Sequence, residues 1–90
     1  MKNIQEIHVT LTRMAELLDM GEFGDWALVF ERLSDEVVVD PNTVCVDVIS
    51  MYGGMGSLND LVLYKDGQPL RKENDELDAL RSKLYALCHE

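Results

Sequence analysis

Glu36-Val37-Val38-Val39-Asp40-Pro41 decides how this chain folds. Three consecutive β-branched residues favour extended backbone, so the valines alone read as a strand. The two residues after them overturn that reading. Proline disfavours helical geometry in the residue before it but suits the first helical turn, and aspartate is a good N-cap. The valines therefore mark a break between two helices. One ends by about Val38, and the next runs from Pro41 to Tyr52.

The periodicity on either side completes the architecture. Before the break, Trp26, Val29, Phe30, Leu33 and Val37 share one face of a helix that begins near Asp25. Earlier still, Ile4, Ile7, Leu11, Met14, Ala15 and Leu18 recur at three- and four-residue steps, which predicts an amphipathic helix from about Asn3 to Met20, capped at Gly21. In the third helix Val44, Cys45, Val48, Ile49 and Tyr52 cover nearly half the circumference, so that helix is expected to be central. Gly53 stops it. Past Gly53-Gly54-Met55-Gly56-Ser57 the period becomes strand-like: Leu61-Val62-Leu63-Tyr64 and Gln68-Pro69-Leu70 flank Asp66-Gly67, a strong hairpin signal. Pro69 cannot donate to a ladder, which makes the second strand short and places it at an edge. A final helix is predicted from Asn74 or Asp75 to Cys88, with Leu77, Leu80, Leu84, Leu87 and Cys88 as its stripe. The expected fold is mainly α (α+β): a four-helix single domain over residues 1–90 with one small β-hairpin between the third and fourth helices.

Composition narrows the class. Ninety residues, 47% of them apolar, suffice for one core. No apolar run approaches the roughly 20 residues of a membrane span. The N-terminus lacks an uninterrupted apolar h-region, so the reading is a cytoplasmic chain, complete as written. Cys45 and Cys88 fall within apolar helical patterns and read as reduced, buried small hydrophobes. A disulfide tying the third and fourth helices stays open.

Charge is the distinctive property. Residues 14–60 hold ten acids against one base, Arg32, while the rest hold seven of each, so the whole net charge of -9 falls in that sector. Such a field attracts cationic partners and repels nucleic acid and anionic membrane. Nucleic-acid binding needs clustered Lys and Arg, but the basic pair Arg71-Lys72 runs straight into Glu73.

Chemistry-bearing patterns are missing. His8 has no His or Cys one turn away, His89 is penultimate, and no run of acids matches a calcium loop, so neither metal nor cofactor is expected. Ser57 follows glycines, but a helix precedes them and a strand follows, the reverse of a nucleotide fingerprint, and no hydrolase elbow is present. The loop reads either as a helix cap with a tight turn or as a protruding recognition loop. No catalytic residues are assigned and the chain is not expected to be an enzyme. An unrecognised activity using Ser57, Asn59 and Asp60 is the minor alternative.

Protein recognition remains. At 100° per residue, Glu31, Arg32 and Asp35 lie opposite the inward stripe of the second helix, with Leu28 among them. An apolar residue in an acidic surround fits an interface anchor, although lone exposed leucines are common. Val46 lies similarly beside Asp47 on the third helix. The candidate partner-binding residues are Leu28, Glu31, Asp35, Glu36, Val46 and Asp47, with Met55, Ser57, Asn59 and Asp60 from the loop.

The segment Met51-Tyr52-Gly53-Gly54-Met55-Gly56-Ser57-Leu58-Asn59-Asp60-Leu61, with Leu80-Arg81-Ser82-Lys83-Leu84-Tyr85, resembles a family of small uncharacterised bacterial proteins. Some of these look like immunity proteins, encoded beside secreted antibacterial toxins and neutralising them in the producing cell. The resemblance covers roughly residues 51–88. It implies a partner: a cognate toxin domain with a basic surface. Toxins that act on nucleotides or nucleic acids carry cationic clefts, towards which an acidic inhibitor is steered. The alternative expectation is a structural or regulatory module that homodimerises through its broad apolar helical faces.

Overall fold

The computed structural model of the chain describes residues 3–53 and 57–90. Among these, the order is α1 (Ile4–Met20), α2 (Gly24–Glu36), α3 (Pro41–Ser50), a 3-10 turn (Leu58–Asp60), β1 (Tyr64–Lys65), β2 (Gln68–Pro69) and α4 (Arg71–Cys88). Four helices and a two-stranded antiparallel hairpin between α3 and α4 match the expected class.

The valine run breaks as its neighbours dictate. α2 ends at Glu36, and Val37 caps it through an N–H bond to Leu33 C=O of 2.9 Å. Val37 is buried while Val38 and Val39 point into solvent. Asp40 caps α3: its carboxylate accepts from the Thr43 N–H at 3.2 Å and the Thr43 hydroxyl at 2.7 Å. These bonds hold its carboxyl below the usual aspartate value. Pro41 takes the first helical turn, where no N–H is needed.

α1 packs most extensively against α2 and next against α4, while α3 lies against α4 and α2. Ile7, Leu11, Met14 and Leu18 of α1 meet Phe30 and Leu33 of α2, Val44 and Val48 of α3, and Leu77 and Leu84 of α4 in one cluster with no solvent exposure beyond 1%. α1, not α3, runs through the centre, because its buried stripe is the longest.

The α1–α2 corner differs in detail from a glycine cap. Phe23 N–H bonds Leu18 C=O at 2.9 Å and Glu22 N–H bonds Asp19 C=O at 3.2 Å, the Schellman pattern. Its left-handed position is Glu22, with φ 68°, whereas Gly21 has φ -86°. Gly21 serves close packing: a Cβ there would stand 2.5 Å from Leu63 Cδ2.

The hairpin pairs Tyr64 with Pro69 and Lys65 with Gln68 around Asp66-Gly67, whose φ values of 53° and 78° fit a type I′ turn. The ladder gains one further bond, Leu70 N–H to Leu63 C=O at 2.9 Å. Leu63 N–H instead bonds Asn74 Oδ1 at 2.7 Å, and Asn74 Nδ2 donates back to Leu63 C=O at 3.1 Å. One side-chain amide thus stands where a neighbouring strand would. It also explains why α4 starts three residues before Asn74: that asparagine is no cap but lies inside the helix, with its side chain turned to Leu63.

Candidate protein-recognition surface

α2 sets the outer acidic face. Leu28, Glu31 and Asp35 fall at spacings of three and four, so they share one exposed stripe. Leu28 is 65% exposed. Arg32 reaches Glu36 at 3.6 Å, an exposed i,i+4 pair worth at most a few tenths of a kcal/mol in general. It is the one ion pair among the described residues of α2 and α3. On α3, Asp47 is exposed, its carbonyl accepts the Ser50 hydroxyl at 2.6 Å, and Val46 is 67% exposed.

Part of this acidic surface borders a groove. The groove between the end of α2 and the start of α3, about 390 Å³, is lined by Asp35, Glu36, Val39, Asp40, Thr43 and Val44. Leu28 of α2 and Val46 of α3, both exposed, do not line it. A second concavity brings Asp25, Trp26 and Val29 of α2 beside Met51.

Two ion pairs bridge α1 and α4. Arg13 grips Glu76 with two bonds, Nε to Oε2 at 2.6 Å and Nη2 to Oε1 at 3.0 Å, and Lys83 meets Glu6 at 3.1 Å. The hydrogen bond to Glu76 raises the Arg13 pKa, and its counterpart lowers that of Glu76. Arg13 and Lys83 are therefore matched across the α1–α4 seam, whereas Arg71 and Lys72 at the start of α4 are exposed; α2 and α3, with the Asp40 cap, carry six acids against one base, Arg32.

The loop candidates fare differently. Asn59 and Asp60 are exposed; Ser57 is partly buried, with a buried hydroxyl that has no hydrogen-bond partner among the described residues. Met55 lies outside the described residues. Asn59 borders an open cleft of about 750 Å³ lined also by Tyr52, Gly53, Asp78, Arg81, Ser82 and Tyr85. Arg81, its side chain 12% exposed, pairs with Asp78 and donates to Leu58 C=O at 2.9 Å. Burial lowers its pKa. The Tyr52 hydroxyl donates to Arg81 C=O at 2.7 Å, and its ring lies 5.0 Å from that of Tyr85. Burial pushes the Tyr52 phenol well up. Tyr52, Leu58 and Leu61 on one side and Arg81 and Tyr85 on the other, all within the two pieces that carry the resemblance noted above, thus form the two halves of one brace. Their chemistry is that of holding the loop to α4. Sequence reading missed Tyr52, Asn74 and Arg81 in these roles, because each acts through a partner eleven or more positions away.

His8 Nδ1 lies 2.7 Å from Ser34 C=O, and His89 Nδ1 lies 2.8 Å from Tyr85 C=O, so both imidazoles are tied to backbone. Among the described residues, no three His, Cys, Asp or Glu side chains converge as a metal site would require. Cys45 and Cys88 are both buried and are not joined in a disulfide. Among the same residues, no helix is long and apolar enough to cross a membrane.

Comparison with known proteins finds a family model, Domain of unknown function (DUF6966), matching residues 19–71. The match spans more than half the chain, and the protein belongs to that family. It covers α2, α3, the loop and the hairpin but says nothing of immunity proteins. No curated protein and no solved structure matches the chain.

Proposed function

We propose that this family member is a non-catalytic binding protein for a cationic protein partner, and specifically an immunity protein that covers the basic active site of a cognate toxin. The observation that carries the reading is the segregation of charge: Arg13, Arg81 and Lys83 of α1 and α4 are paired within the fold, while the exposed carboxylates of α2 and α3 have Arg32 as their only paired base among the described residues. Charge left uncompensated on one side costs stability through self-repulsion and is useful where it accelerates encounter with an opposite charge. Carboxylates placed over a phosphate-handling cleft imitate the phosphates it binds. Homodimerisation fits less well, because a second copy brings the same excess of acids to the contact.

The test is pull-down against the product of the adjacent gene, followed by growth rescue on co-expression. Capture with restored growth is the expected result. A neighbour whose toxicity is unchanged by this chain defeats the immunity reading, and a stable dimer in light scattering with no neighbour bound favours self-association.

A further inference from the structure

We infer that the groove between the end of α2 and the start of α3 seats a basic, amphipathic segment of the partner protein, which places the contact centre there and not at Leu28. The inference rests on the binding reading above. Charge complementarity selects the occupant. Asp35 and Glu36 occupy the last turn of α2, which holds no base of its own; Arg32, one turn earlier, reaches Glu36 at 3.6 Å and leaves Asp35 without an ion pair among the described residues, although a helix C-terminus already carries partial negative charge and favours Lys or Arg. The fold therefore concentrates negative potential at a place where its own helix dipole opposes it. Asp40 is committed to the α3 cap, which offsets the positive end of that helix and leaves the groove net negative.

The lining is also apolar. Val39 is 84% exposed at the rim and Val44 forms the floor. A hydrated metal ion or a free amine would answer the carboxylates and leave the valine surface wet. A segment that pairs a Lys or Arg with an apolar neighbour covers both. A second copy of the chain is disfavoured, since it carries a net charge of -9.

The isotope-labelled chain titrated with the peptide acetyl-Lys-Leu-Leu-Lys-Leu-Lys-amide, followed by amide chemical shifts, tests this. Shifts confined to residues 35–44 are expected, with a glutamate-for-lysine peptide giving none. Val39→Ser and Asp35→Asn, both on exposed side chains and so compatible with folding, are each expected to weaken binding about five- to tenfold. Shifts spread over Asp19, Asp25 and Asp47, shifts centred on Leu28, no shifts at all, or unchanged affinity in Val39→Ser would overturn the groove. Scattered shifts leave the broader acidic-surface reading standing. Confined shifts with no capture of the neighbouring gene product uphold the groove and reject the immunity role.

Discussion

Replacing Asn74 by Ala isolates the least foreseeable contact of the fold. Leu63 is fully buried, and its N–H has Asn74 Oδ1 as its partner at 2.7 Å. The substitution leaves that donor unsatisfied, at a cost of about 1–3 kcal/mol. Leu63 C=O loses the 3.1 Å bond from Asn74 Nδ2 but keeps Leu70 N–H. Position 74 lies inside α4, where Ala is favoured over Asn by roughly 0.5 kcal/mol, so the net loss is about 1.5 kcal/mol. For a domain of this size that corresponds to a fall in Tm of about 6–12 °C. Urea unfolding followed by circular dichroism measures it, and hydrogen exchange at the Leu63 amide locates it. Asn74→Asp keeps the acceptor but turns an oxygen towards the Leu63 carbonyl, so it falls between Ala and wild type. A loss below about 0.5 kcal/mol, with the Leu63 amide still protected, would falsify the claim that this side chain replaces a strand.

Three further outcomes follow from local geometry. Glu22 holds a left-handed conformation with φ 68°, so Glu22→Gly is expected to stabilise the chain by about 0.5–1 kcal/mol, whereas Gly21→Ala, which drives a Cβ into Leu63, costs about 1–3 kcal/mol; equal effects in thermal melts would contradict the assignment. The Glu76 carboxyl is held below its ordinary value of 4.5 mainly by the hydrogen bond from Arg13, so its contribution is present above that pH and fades as pH falls through the folded value. Both side chains are more than a third exposed, which limits the gain to below about 1 kcal/mol; Arg13→Gln should flatten the acid limb of stability against pH, and an unchanged limb removes the pair as its cause. The Tyr52 phenol is raised above its ordinary 10.0 by burial, so its contribution is full below pH 10.0 and declines as pH rises beyond it; Tyr52→Phe should make stability less steep in alkali, and an identical slope would rule out Tyr52 as the source.

The sequence made the helices and hairpin legible because their signals are local. Asp40-Pro41 resolves the valine run within two residues, and Asp66-Gly67 sets the turn by its own tolerance of positive φ. The start of α4 was hidden for the opposite reason: Asn74 has the chemistry of a cap, and only the fold reveals that its amide is spent on Leu63. Gly21 likewise suggested a left-handed cap, but the requirement that fixes it is the approach of Leu63, forty-two positions later. For the surface, exposure of Leu28, Glu31, Asp35, Glu36, Val46 and Asp47 followed from helical period alone. The crossing of α2 and α3 sets what adjoins the groove: it gathers Asp35 and Glu36 with Val39, and Leu28 and Val46 do not line it. Val39 was invisible as a contact because it read only as part of a structural break.

Recognition of a cationic partner by the acidic side is tested most directly by the association rate with the adjacent gene product, measured by stopped flow across a range of salt concentrations. Steering by uncompensated carboxylates predicts a rate that falls at least about tenfold from low to high salt, with most of that dependence lost in the Glu31→Lys, Asp35→Lys double variant. A rate indifferent to both salt and charge reversal would contradict the account.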